Sequence, residues 1–213
     1  MILALAVAAS VVATVPRPLR EVVYHVSYAR RTASTGSTGV TDHGTVTVDV
    51  MAVSNNALGL KVTERWAKNP TALVTLGTVQ PTGKLTFAPG VLSDVSYQLL
   101  PYFAPQFVPQ RPLLQGVAWS LKDDHKDLAA NTAFAVTAVQ GSSVTISVKQ
   151  TVSVRDATHA QISTNGNVVY EPRLLVPLSG DFTKHLSMKV GGAKQSVSLT
   201  LNFARASDTR DPG

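Results

Sequence analysis

Apolar and polar residues alternate along most of the chain. Val22, Tyr24, Val26 and Tyr28 oppose Val23, His25 and Ser27, the period of two that a strand shows when one face lies on a core. The same rhythm sets Val46, Val48 and Val50 against Thr45, Thr47 and Asp49; parity then switches at Met51 and Val53, which predicts a bulge. Leu58, Leu60, Val62, Glu64 and Trp66 mark another strand, broken at Asn69-Pro70. Thr71 to Val79 and Lys84 to Phe87 flank the turn Pro81-Thr82-Gly83 and predict a hairpin.

The clearest alternation is Val144, Ile146, Val148, Val152 and Val154 against Thr145, Ser147, Lys149, Thr151 and Ser153. About twelve residues at ~3.3 Å each reach roughly 40 Å, which requires a strongly twisted or coiled sheet. Asn165-Gly166 predicts a type I′ hairpin between Thr158 to Thr164 and Asn167 to Arg173. Gly191-Gly192 is expected to join Asp181 to Val190 with Lys194 to Ala204. Three polar stretches lack this rhythm: Arg30 to Gly44 reads as a flexible loop, Lys122 to Asp127 as a solvated charged turn, and Ser207 to Gly213 as a disordered tail.

Only Leu92 to Trp119 breaks the strand pattern. It holds five of the thirteen aromatic residues, Tyr97, Tyr102, Phe103, Phe107 and Trp119, in 28 of 213 positions. That is too apolar for a linker, so the stretch should pack on the sheet as a plug or a lid. Ser93 can cap a helix, Asp94 suits its positive end, and Leu92 can staple onto Tyr97. Pro101 ends that helix after one or two turns, and Pro105, Pro109 and Pro112 keep the remainder of the stretch extended. Gly116 lets the backbone approach closely, and Trp119 is expected to be buried near Leu99 or Phe103 with its N–H bonded.

Together these elements predict a mainly β protein: a single antiparallel, strongly coiled meander, or half-barrel, of about a dozen strands around one short helix and a proline-rich segment. Residues 16–206 form the β domain and 207–213 the tail. A meander bending around a short helix and a segment running Leu-Pro to Pro-Leu-Leu-Gln-Gly-Val-Ala-Trp resembles the extracytoplasmic half-barrels of the lipoprotein-carrier (Lol-type) superfamily, and secreted bacterial domains of similar pattern. The likeness covers most of the chain but is architectural, its local match being Pro109 to Trp119. It implies binding of an acyl chain or another apolar ligand between sheet and helix, with no cofactor. The low-complexity loop and the acidic insertion depart from that pattern, and no functional residue transfers by motif.

Composition narrows the function. The apolar fraction of 44% suffices for a core, and the absence of cysteine excludes disulfides, thiolate metal sites, a cysteine nucleophile and an N-terminal lipid-anchored cysteine. Ile2 to Val15, an apolar run of small and branched residues ahead of Pro16 and Arg17, reads as a signal peptide over 1–15 that lacks a basic start; the alternative is a buried first strand. Export places the protein outside the cytoplasm, periplasmic or secreted. The net charge of +6 is scattered, which argues for a cationic surface and against a nucleic-acid partner. The histidines lack metal-ligand spacing, and no Gly-x-Ser-x-Gly elbow or phosphate loop is present, so no catalytic or metal residue is assigned and a non-enzymatic protein is expected.

Polar residues on apolar faces are the remaining signal: Glu64 shares parity with Leu60 and Val62, Gln150 with Val148 and Val152, Lys184 with Phe182 and Leu186. The candidate ligand-binding residues are therefore Glu64, Trp66, Tyr97, Phe103, Phe107, Trp119 and Lys184; the simpler alternative places each polar member at a sheet rim or a bulge. The function they support is an extracytoplasmic carrier or binding protein for an apolar or acyl-chain ligand, with peripheral envelope contact. The alternative is a secreted interaction or envelope-scaffold domain with a solid core and recognition on the 32–44 loop. An integral outer-membrane barrel is disfavoured by the mid-chain prolines and by the lack of a closing aromatic strand.

Overall fold

The computed structural model describes residues 18–33, 39–53, 56–89, 93–108, 112–126, 128–155, 159–190 and 193–210. Eleven strands form one antiparallel sheet: β1 Arg20–Ala33, β2 Gly39–Ala52, β3 Leu58–Trp66, β4 Asn69–Val79, β5 Leu85–Phe87, β6 Ala118–His125, β7 Leu128–Gln140, β8 Ser143–Val154, β9 Gln161–Glu171, β10 Val176–Val190 and β11 Ala193–Arg210. Their order is β5-β4-β3-β2-β1-β11-β10-β9-β8-β7-β6. The first and last strands thus pair at the middle of the sheet, and β5 and β6 are its two edges. A short helix α1, Asp94–Leu99, a 3-10 turn, Leu100–Phe103, and the proline-rich run carry the chain from one edge to the other across the inner face.

The inner face is what the alternation specified. Val22, Tyr24, Val46, Val48, Val62, Ile146, Val168, Phe182 and Leu201 are buried there against Leu99, Leu100 and Tyr102 of the crossing segment. The crossing segment therefore supplies the second layer that an open sheet needs to bury its apolar side. No helix among the described residues is long and apolar enough to cross a membrane.

Several expectations change. Asn165-Gly166 is no turn, because β9 runs through it in register with β8 and β10. Gly166 serves close packing instead: a Cβ there would lie 2.5 Å from the Phe182 ring and 2.2 Å from the Asp181 carbonyl oxygen. The 30–44 stretch is strand on both sides of residues 34–38, since Arg30 and Arg31 pair with Val40 and Gly39; threonine and serine suit an outer β face as readily as a loop. This removes most of the loop on which an interaction surface was expected.

The tail is likewise ordered as far as Arg210, where it pairs with Arg20. Lys122 to His125 finish β6, paired with Asn131 to Leu128, so the charges lie on an edge strand. Register is unbroken from Gly44 to Ala52, so Met51 marks no bulge; Met51 and Val53 lean over Gly59 instead. The signal-peptide run 1–15, Leu92, Asp127, Thr158 and Gly191-Gly192 lie outside the described residues.

A candidate ligand cleft and the clamps around it

Ser93 starts the crossing segment as expected, its side chain accepting from the Ser96 N–H at 2.9 Å. The same hydroxyl donates to Glu64 Oε1, Ser96 Oγ donates to that oxygen at 2.5 Å, and Trp66 Nε1 donates to Oε2 at 3.2 Å. Three donors thus satisfy a carboxylate that is 1% exposed, the condition under which a buried charge is tolerated. On the other half of the sheet Lys184 pairs with Asp94, and Gln150 Nε2 donates to the Tyr97 hydroxyl at 3.1 Å and to Thr132 at 3.0 Å. Helix α1 is therefore fastened to β3 on one side and to β8 and β10 on the other.

Beyond the helix, Gln106 Oε1 accepts from the Leu85 N–H at 2.9 Å and its own N–H reaches the Gly83 carbonyl at 3.3 Å, which ties the segment to β5. At the opposite edge Trp119 stacks on Phe134 with ring centroids 5.1 Å apart, and its indole N–H donates to the Phe107 carbonyl at 2.9 Å. The bonded N–H agrees with expectation; the burial is less than expected, since Trp119 is half-buried, packed at the margin of the core on Phe134.

Among the described residues, two clefts adjoin this segment. The larger, about 390 Å³, is lined by Tyr102, Phe103, Ala104, Pro105, Val108, Pro112, Leu113, Tyr170, Pro172 and Leu175. It lies between the proline-rich run and the β9–β10 turn, near the lower end of the ~300–1,000 Å³ range of small-ligand pockets. The smaller, about 230 Å³, lies at the α1 end and includes Arg30, Glu64, Trp66, Leu73 and Asp94.

The seven candidate residues are accordingly not brought together. Phe103 lines the larger cleft; Glu64 and Trp66 line the smaller one; Tyr97 and Lys184 hold α1; Phe107 and Trp119 pack at the β6 edge. Sequence reasoning missed Tyr170, whose inward parity with Val168 could have identified it, and Tyr102, which lies in the stretch already singled out. It also missed a charged cluster at the larger cleft's end of the sheet. Arg20 grips Asp208 through Nε to Oδ1 at 2.7 Å and Nη2 to Oδ2 at 2.6 Å, and its Nη1 donates to the Leu174 carbonyl at 2.5 Å. Arg205 joins Asp208 at 3.2 Å.

A register shift makes this cluster possible. Tyr24 pairs with Arg205 but Val23 with Ser207, so Ala206 is an extra residue and both Arg205 and Asp208 face inward. The Arg20 hydrogen bond holds the Asp208 carboxyl below the usual carboxylate range, aided by the charges of Arg20, Arg205 and Arg210. Burial pushes the Tyr24, Tyr102 and Tyr170 phenols well above their ordinary value, with Arg20 opposing the rise at Tyr24 and Tyr170. All three are neutral O–H donors at physiological pH. Among the described residues no three His, Asp or Glu side chains gather as metal ligands.

No protein-family model matches the chain, and no curated protein does. Among solved structures, one described as lipid-protein interactions in lipovitellin is similar over 92% of this chain, with a TM-score of 0.52 and 10% identity. This chain spans only 26% of that one. A second, Rv2717c from M. tuberculosis, aligns over 85% of this chain and 91% of its own at 12% identity and a TM-score of 0.34. At such identity the lipovitellin likeness is one of fold.

Proposed function

We propose that this protein binds an apolar or acyl-chain ligand in the 390 Å³ cleft and acts as a carrier or binding protein outside the cytoplasm, without catalysis. The observation carrying the reading is the cleft itself: eight of its ten lining residues lack polar side-chain atoms, and the other two are tyrosines. An apolar concavity with a few polar groups is the usual form of a small-ligand site. The lipovitellin structure, whose description concerns lipid–protein interactions, lends support at the level of fold. The apolar run Ile2 to Val15 supports the location.

Native mass spectrometry of protein purified without detergent tests the reading, followed by delipidation and uptake of an apolar fluorophore. Lipid-sized adducts that leave on delipidation are expected, with uptake weakened by Leu113→Trp, which fills the cleft. Protein that carries nothing and takes up no fluorophore would remove the carrier function. N-terminal sequencing of the mature protein tests export, a start at Met1 being the contrary result.

A further inference from the structure

The proposed function leaves the chemistry of the ligand open, and the two polar groups in the cleft bear on it. Tyr102 is 3% exposed and Tyr170 2%; neither hydroxyl is bonded among the described residues, and neither is sealed from solvent, the one sealed and unpartnered side-chain polar atom there being Thr164 Oγ1. Their rings lie 6.3 Å apart at the wall of the same, otherwise apolar cleft. A hydroxyl at the wall of an apolar cleft with no protein acceptor has its proton to give, which makes an acceptor atom supplied by a ligand its natural complement.

Charge selects the kind of acceptor. Arg20, Arg205 and Arg210 surround Asp208 at this end of the sheet, and Glu171 adjoins Tyr170. The cluster carries more positive than negative charge, and Arg20 acts electrostatically on Tyr170. Arg20 also holds the Leu174 carbonyl, next to Leu175 at the cleft wall. An anion at the tyrosines therefore sits in a favourable field. The cleft volume, at the small end for ligand sites, suits one chain of about twenty heavy atoms and not two chains side by side.

Resting on the carrier reading, we propose that the ligand is a single-chain anionic amphiphile, its headgroup accepting from the Tyr102 and Tyr170 hydroxyls beside the arginine cluster. Its chain lies on Phe103, Pro105, Val108 and Leu113. A carboxylate and a phosphate monoester share this chemistry.

Titration calorimetry on delipidated protein at pH 8 with palmitate, hexadecyl phosphate, hexadecanol and methyl palmitate separates the cases. At least one anion should bind about tenfold or more tighter than the alcohol and the ester, the scale of a charge-assisted hydrogen bond; the tighter anion identifies the headgroup. Tyr170→Phe, or the double variant Tyr102→Phe/Tyr170→Phe, should cut that preference severalfold. Arg205→Gln, which keeps both hydroxyls, should cut it as well and provides an independent variant if the tyrosine changes prevent folding. Equal affinity for palmitate, phosphate and hexadecanol overturns the anionic headgroup and leaves the apolar site standing. Binding of none of the four overturns the carrier reading beneath it.

Discussion

Arg20 and Asp208, 188 positions apart, meet in a two-pronged ion pair at 2.6 and 2.7 Å that fastens the first strand to the last. Their side chains are only 14% and 15% exposed, so the pair differs from an ordinary surface salt bridge, whose worth is small. Because Arg20 also reaches the Leu174 carbonyl, the same contact sets the β9–β10 turn beside the larger cleft.

Replacing Asp208 by Asn should cost about 2–3 kcal/mol at neutral pH, since a mostly buried guanidinium loses its charged acceptor. The pH dependence has a fixed direction. The folded carboxyl titrates below its unfolded value, so its contribution is complete above about pH 5 and is lost as pH falls through the folded value. Urea midpoints from pH 7 down to pH 2 check this: the parent should lose stability faster than Asp208→Asn on acidification. Parallel curves would deny the clamp its role.

Glu64 is the anchor of α1. Glu64→Ala leaves the Ser93, Ser96 and Trp66 donors without their acceptor and should cost about 3 kcal/mol, with hydrogen exchange rising selectively over residues 94–99. Glu64→Gln keeps one acceptor oxygen and should fall between parent and alanine variant. Uniform exchange across the sheet and the helix would show that the carboxylate does not hold the helix in particular.

Trp119 gives two separable contributions. Trp119→Phe keeps a ring over Phe134 but loses the bond to the Phe107 carbonyl, for about 1 kcal/mol. Trp119→Ala removes both; being half-buried, it should cost about 2–3 kcal/mol, less than a fully buried tryptophan. Chemical denaturation of the pair of variants distinguishes stacking from hydrogen bonding. An unchanged midpoint in Trp119→Ala would take the residue out of the core.

Two glycines should respond differently to alanine. At Gly166 the added Cβ meets the Phe182 ring and the Asp181 carbonyl, so Gly166→Ala should cost more than about 2 kcal/mol. Gly116 has φ +86° with nothing within 4 Å, so alanine there bears only the backbone strain, about 1–2 kcal/mol. Thermal unfolding of the two variants ranks them, and a larger loss at Gly116 would contradict the packing account of Gly166.

The class of fold and the faces of its strands were legible in the order of residues alone. Alternation is local: a strand's period of two assigns Val46 and Val48 to the core whichever strand lies beside them. The Ser93 cap was legible for the same reason, since its hydrogen bond spans three residues. Features that depend on partners distant in the chain were set by long-range packing. Asn165-Gly166 has the composition of a hairpin turn, yet the Phe182 ring pressed against the glycine keeps β9 straight. Ser207 to Arg210 is polar enough to read as tail, but β1 supplies a ladder and Arg20 a charge partner. Glu64 was visible as a polar residue on an apolar face, whereas its three donors come from Trp66 on its own strand and from Ser93 and Ser96 on the crossing segment. The larger cleft is the extreme case: its two tyrosines lie 68 positions apart in the chain, and only the path of the proline-rich run over the sheet places them side by side.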